Sequence, residues 1–503
     1  MEIRFQPGPA SSEALILPIL QDESQVFIQA LKPPISWLKN NYALADFKGR
    51  KSENLLLYAP ASASPRVLLA GLGRRADFTP RVLGEAMSAA VKTLAERRLT
   101  RLALPLAVLR LLPGADAACR LLEEAVLGVG LGIYAYTEHK NMPETDATFR
   151  PDLLELIQDR ETTAAEKAAL RKSTALIEGI TLARNLINGP PNLVTPIHLE
   201  EQAANLAGKY AFSLTSYGPD ELRKKGLNAF LAVSRGAANE PRLLILEHTP
   251  PGLGKKPPLV LLGKGITFDS GGISLKPAAG MEHMKRDMAG AGTLLGLFAA
   301  LGAGGPGFVR KRILAFMPCA ENMPSGEAAR PGDIIKTLSG KTVEIRNTDA
   351  EGRLLLCDCL TLAQEMDTPE VMIDIATLTG ACVVALGEKT AGLFSNNQAL
   401  TDKILALAQG NGERLWPLPI WDEDIDLLRE KSAADLLNSG PREGGACLAA
   451  LFLKQFVRPD MPWAHLDIAG PAYQGQGENA APGGATAFGL RTLLDFALEQ
   501  CHD

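Results

Sequence analysis

The sequence predicts an α/β protein: an N-terminal α/β domain joined by a helix to a larger α/β domain whose mixed sheet is covered by helices. Three observations predict it. Short apolar runs of strand length alternate with helical patterns in both parts of the chain. The 503 residues exceed what one core ordinarily holds, so two domains are the default expectation. A charged helical stretch runs into Asn188-Gly-Pro-Pro-Asn-Leu-Val-Thr-Pro196, a firm break. The expected parts are therefore a domain over 1–165, a connecting helix over 166–190 and a second domain over 191–503.

In the first part, strands are expected at Leu15–Leu20, Leu55–Ala59, Val67–Ala70 and Leu102–Leu106. A helix is expected over Pro80–Arg98, with Thr79 as cap and Pro80 in the first helical position. A second helix is expected over Ala117–Val126, and the connecting stretch over Ala164–Leu186. Beyond the break, apolar strand-like runs recur at Leu243–Leu246, Leu259–Leu262, Ile313–Met317, Val371–Ile375 and Ala464–Ile468. Helical patterns at Ala291–Leu301, Arg353–Glu365 and Ala446–Phe456 separate them. Such alternation argues for a largely parallel or mixed sheet covered on both faces, with its chemistry at strand ends.

Composition narrows the function. A hydrophobic content of 46% is that of a soluble globular enzyme, and a net charge of -5 makes no case for nucleic acid or acidic substrates. Arg74, Arg75, Arg97, Arg98 and Arg101 read as a solvated helix face rather than a patch. The N-terminus shows no secretory signal, and the most apolar stretch, Ala125–Ala135, is too short to span a bilayer. Cys357 and Cys359 lack metal spacing and read as small buried residues on a helix. A reduced, cytoplasmic protein without membrane attachment is expected.

The chemistry gathers in three segments. Leu261-Leu-Gly-Lys264-Gly-Ile-Thr-Phe-Asp269-Ser-Gly-Gly-Ile-Ser-Leu-Lys276-Pro leaves a strand for a glycine-rich loop with two lysines and an aspartate. Met281-Glu-His-Met284-Lys-Arg-Asp287-Met-Ala-Gly-Ala runs into a helix, and Asn347-Thr-Asp349-Ala-Glu351-Gly-Arg353-Leu lies at a helix start. In extended chain, Asp349 and Glu351 would point the same way. Each segment has a bland explanation: Asp287 as a helix cap, Asp349 and Glu351 as first-turn acids. A phosphate loop at Lys264 is excluded by its spacing. Acids clustered at helix starts beside lysines in glycine loops together require a function.

These segments resemble the leucyl (cytosol) aminopeptidase family. Asn347-Thr-Asp-Ala-Glu-Gly-Arg-Leu354 matches the family's signature octapeptide, and the Lys264–Pro277 and Met284–Met288 segments match in order. The resemblance extends through Asn188–Pro196, Glu321–Pro324, Arg330–Asp333, Ala376–Ala381 and Trp463–Gly470, and it is looser in the first domain. Gly292 stands where alanine is expected, and Ala487 where glycine is expected.

The resemblance implies a metal-dependent aminopeptidase that releases N-terminal residues, Leu and other apolar ones preferred, from peptides with a free N-terminus. It implies two divalent ions (Mn²⁺ or Zn²⁺), bridged by Asp269 and Glu351. Lys264 and Asp287 complete the tighter site and Asp349 the exchangeable one. Lys276 and Arg353 are the catalytic residues that bind no metal, Arg353 holding bicarbonate as the general base. Met284, Thr377, Leu378, Gly380, Ala469 and Ala472 are placed around the first-residue pocket, and the assembly is a homohexamer. Chemistry supports the ligand set independently: four carboxylates balance two dications, and a dication can displace a lysine's proton. Oxygen-rich ligation with one amine suits Zn²⁺, Mn²⁺ or Co²⁺. A two-metal phosphoesterase would want histidine-rich ligation, which the chain lacks. An additional DNA-binding role, known within the family, is the alternative, and it is compatible with catalysis.

Overall fold

The computed structural model describes residues 1–8, 12–21, 46–58, 65–114, 118–141, 149–253, 256–475 and 484–499. The chain divides into two compact units, Met1–Ile177 and Glu178–Asp503, and the division falls within a single helix, Ala164–Asn188.

The first unit is built on six strands: β1 (Glu2–Pro7), β2 (Ala14–Ile19), β3 (Asn54–Tyr58), β4 (Arg66–Gly71), β5 (Arg101–Pro105) and β6 (Leu153–Gln158). They form one sheet in the order β1-β6-β5-β2-β4-β3, parallel except for the β3–β4 pair. Every residue of β2 is buried, because apolar side chains from both faces enter separate cores. Thr79 caps the helix Pro80–Ala95 by accepting from Val82 N–H, as expected. Two strands were not anticipated. β1 is a half-exposed edge with only Ile3 and Phe5 as large apolar residues, and β6 follows a proline-bearing stretch that reads as loop. The expected edges at Ala59 and Ala117 lie outside the described residues.

The second unit carries β7 (Ser213–Tyr217), β8 (Arg242–His248), β9 (Leu259–Gly263), β10 (Gly265–Asp269), β11 (Ile313–Asn322), β12 (Ile334–Lys336), β13 (Thr342–Glu344), β14 (Val371–Ala376), β15 (Ala391–Ser395), β16 (Leu415–Pro417), β17 (Leu436–Leu437) and β18 (Trp463–Asp467). Its main sheet runs β16-β15-β18-β14-β9-β11-β8-β7, with β10 paired to β11. β10, β11, β9, β14 and β18 are mutually parallel, so their C-terminal ends share one edge. Asp269, Asn322 and Asp467 are the last residues of their strands there, and Lys264 and Thr377 come directly after β9 and β14.

The helix Ala289–Gly304 is apolar all round because it is buried all round. With the turn before it, Met281–Gly304 is long and apolar enough to cross a membrane, but 89% of its apolar window is buried inside the protein, as in a core helix. Gly290 brings this helix against the sheet: a Cβ there would lie 2.2 Å from Ile375 O and 2.7 Å from Lys264 N. Gly292 has a local reason, since a Cβ would stand 2.9 Å from Ile187 Cγ1. Ala487 holds φ of 57°, the left-handed region in which glycine is at ease.

Candidate metal centre

The carboxylates arrive from three directions onto the sheet edge. Asp269 ends β10, and its Oδ1 accepts from Asn322 Nδ2 at 2.8 Å and from Gly271 N–H at 2.9 Å. The chain then reverses through Gly271 and Gly272, at φ of 87° and 65°. A Cβ on Gly271 would meet Ser274 O at 2.5 Å, so only glycine makes this turn. The reversal lets Lys276 N–H donate to Ser270 O, returning the Lys276 ammonium to 2.8 Å from Asp269 Oδ2.

Asp287 lies in the 3₁₀ stretch Met281–Met288, just before the helix rather than capping it. Its Oδ1 accepts from Thr377 Oγ1 at 2.7 Å. Glu351 is not in extended chain: it is the first residue of the helix Glu351–Met366. Asp349 precedes it in a turn, and the helix start swings both side chains inward. One carboxylate oxygen from each of Asp269, Asp349 and Glu351 lies within 4.8 Å of the others.

Two ammonium groups face these acids. Lys264 Nζ is 2.8 Å from both Asp287 Oδ2 and Glu351 Oε1 and donates to Thr377 O at 2.9 Å. Lys276 pairs with Asp269 and Asp349. Burial opposes Lys264's charge, but the carboxylates of Asp287, Glu351 and Asp269 outweigh it and hold the amine above its ordinary value. Burial, then the facing Glu351 and Asp287, push Asp269 up to about 8. Asp287 is pushed up to about 6, chiefly by burial. Glu351 goes the other way, because the charges of Lys264 and Lys276 overcome its burial.

Fully ionised, the four carboxylates would exceed the two ammonium groups by two negative charges in a buried place, which is why Asp269 and Asp287 are pushed up. Glu351 Oε2 is buried with no hydrogen-bond donor. An acidic, oxygen-rich cluster with an unsatisfied carboxylate oxygen is a donor set that suits a divalent cation.

The remaining candidates fall as follows. Arg353, buried in the first turn of its helix, donates from Nη1 to Asn438 O at 2.7 Å, and its Nε has no partner. Burial lowers its pKa to about 10. Leu378 N–H and Ala469 N–H both donate to Asp467 Oδ1 at 3.1 Å. Met284 is half-buried, Gly380 is exposed and opens the helix Gly380–Leu386, and Ala472 is sealed at 1% exposure. The cavity that adjoins Glu351 is lined by residues such as Val233, Gly272, Asn322 and Thr348. Sequence reasoning missed Asn322, Asp467 and Asn438. Asn322 Nδ2 joins Asp269 to Thr348 O, and Asp467 braces the loop after β14.

Comparison with known proteins agrees with this architecture. Residues 181–494 match the profile of the cytosol aminopeptidase family, catalytic domain, and residues 30–143 match that family's N-terminal domain. The chain is 44% identical over 506 residues to the "Probable cytosol aminopeptidase" of Nitratidesulfovibrio vulgaris, covering 99% of each chain. To that of Chromobacterium violaceum it is 40% identical, covering 99% of this chain and 94% of the other. Among solved structures, a mutant of tomato leucine aminopeptidase superposes with a TM-score of 0.85 at 30% identity, over 99% of this chain and 97% of that one. The bottromycin maturation enzyme BotP in complex with Mn gives 0.82 at 33% identity, over 97% and 99%. A two-domain α/β chain with this acidic centre, matching the family profile over most of its length, belongs to the cytosol aminopeptidase family and is a peptide hydrolase.

Proposed function

We propose that the chain is a two-metal aminopeptidase whose catalytic domain spans 191–503, after a 1–165 domain and a 166–190 connector. It releases N-terminal Leu and other apolar residues from peptides, as a cytoplasmic homohexamer. The observation that carries the reading is the convergence of Asp269, Asp349 and Glu351 beside Lys264 and Asp287, with Glu351 Oε2 unsatisfied. Asp269 and Glu351 would be shared between two divalent ions, Mn²⁺ or Zn²⁺. Lys264 and Asp287 would serve one ion and Asp349 the other. When bound, the ions supply polarisation of the scissile carbonyl, acidification of water and an anchor for the substrate's free α-amine.

The chain's own groups do the rest. Lys276, whose side chain is 20% exposed, lies on the open side of the cluster and can offer its ammonium to a developing oxyanion. Arg353 sits where unpaired helix N–H groups favour an anion, and its unpartnered Nε supports the same role. With the four acids engaged by metal, Arg353 would hold a bicarbonate there, and that anion would supply the general base that the acids cannot. Met284, Thr377, Leu378, Gly380, Ala469 and Ala472 are the proposed surroundings of the substrate's first residue.

The test is hydrolysis of Leu-p-nitroanilide after chelation and after restoring Mn²⁺, Zn²⁺ or Co²⁺, with N-acetyl-Leu-p-nitroanilide as control. Activity should vanish and return, and the acetylated substrate should be very poor. Comparable turnover of blocked and free substrates would exclude an aminopeptidase.

A further inference from the structure

Asn438 follows directly on β17, which pairs parallel with β13, Leu437 opposite Glu344. That ladder ends where the chain turns into the loop 346–350, which carries Asp349. Asn438 is completely buried, at 0% exposure. A primary amide has two acceptor sites and two N–H donors, and this loop uses all of them. Oδ1 accepts from Arg346 N–H at 2.8 Å and Asn347 N–H at 3.2 Å. Nδ2 donates to Asn347 O at 2.7 Å and Ala350 O at 3.3 Å. Two N–H groups on one side and two carbonyls on the other admit a single orientation of the amide. The side chain continues the ladder as a surrogate peptide.

The backbone of the same residue is also engaged. Its N–H donates to Glu344 O at 3.0 Å, and its carbonyl accepts from Arg353 Nη1 at 2.7 Å. One residue therefore grips the loop before Glu351 and the guanidinium after it. Asp349 is where this matters most. Its side chain is 31% exposed, against 4% for Asp269 and Glu351 and 9% for Asp287. The other three acids are enclosed by the core around them, whereas Asp349 stands on a loop whose own hydrogen bonds set its position.

We infer that Asn438 is a positioning residue: its amide sets the Asp349 loop and its carbonyl ties Arg353 to the same frame. The inference rests on reading the cluster as a divalent-metal centre. Removing the amide leaves two N–H groups and two carbonyls unpaired in the interior, and the loop must shift to satisfy them.

The test uses the chelator-stripped full chain and its Asn438→Ala and Asn438→Asp variants. The aspartate variant is isosteric, but it sets a carboxylate oxygen against the two carbonyls in place of the donors and adds a buried ionisable group. Titration calorimetry with Mn²⁺ should give two binding steps in the parent. In the variants one step should stay near the parent value, and the other should weaken about 10–100-fold, as for a lost outer-shell partner. After loading at saturating Mn²⁺, kcat should fall about 10²-fold with KM close to the parent's, as for a misplaced group. Equal weakening of both steps would mean general loosening and overturn the inference, as would parent-like binding and kcat in a folded variant. If Asn438→Ala does not fold, Asn438→Asp decides by the same criteria. A parent that neither binds Mn²⁺ nor hydrolyses peptide would overturn the metal-centre reading, and the role of Asn438 with it.

Discussion

Replacing Lys264 with methionine isolates what its ammonium does for the metal-free protein. The side chain keeps its approximate volume and loses two ion pairs of 2.8 Å each and the hydrogen bond to Thr377 O. Asp287 and Glu351 are then buried without that counter-charge, and removing one partner of a buried pair costs about 3–5 kcal/mol. For a unit of this size, at roughly 2 °C per kcal/mol, the chelator-treated variant should unfold roughly 6–10 °C below the parent at pH 8. The deficit should shrink towards pH 5. Without the ammonium, burial raises both folded-state pKa values above their unfolded values of about 3.9 and 4.3. Such groups stabilise the fold while protonated, and that contribution is lost as pH rises through the raised folded value. Scanning calorimetry of both proteins with chelator, at pH 5 and pH 8, measures this directly. Midpoints within about 1 °C at pH 8, or a deficit that grows at pH 5, would refute the view that Lys264 is charged and neutralising two carboxylates.

Protons and metal compete for the same oxygens. With Asp287 pushed up to about 6 and Asp269 up to about 8, Mn²⁺ affinity should rise as pH rises from 6 to 8, and binding should release more protons at pH 6.5 than at pH 8.5. Calorimetry in buffers of different ionisation enthalpy counts those protons, and a flat pH dependence contradicts the shifts. Lys276→Ala should lower kcat by about 10²–10³, the cost of a lost oxyanion donor. Arg353→Ala should be milder and should blunt the response to added bicarbonate while keeping full metal content by elemental analysis. Ala487→Gly should raise stability by about 0.5–1 kcal/mol, relief of left-handed strain exceeding the added unfolded-state entropy; a lower unfolding midpoint would count against it.

Much of this was legible in the sequence because it is local. Asp349 and Glu351 lie in one octapeptide, Lys264 and Asp269 in one strand–loop segment, and Thr79 with Pro80 announces its helix unaided. The strand runs of the second unit were legible because parallel strands buried on both faces are almost wholly apolar, as β9 is throughout and β14 is except for Asp374. Asn438 was not, since its four partners lie about ninety residues upstream and meet it only through the β13–β17 register. Asn322 was passed over for the same reason: its contact with Asp269 exists because β10 and β11 end together. Asp349 and Glu351 come together at the expected helix start rather than by the alternation of extended chain, which their two-residue spacing alone does not decide.

The close approach at Gly290 has a consequence for how this chain tolerates heritable change. Where a helix meets a sheet through side chains, drift in leucines and valines slowly alters their spacing. Here main chain touches main chain, Gly290 against Ile375 O and Lys264 N, immediately beside the residue pair Lys264 and Asp287. The separation of that pair is therefore insulated from most repacking elsewhere in the core. Randomised libraries of the surrounding apolar positions should yield many functional members, whereas even alanine at 290 should yield none. Variation can accumulate around the centre without being transmitted to it.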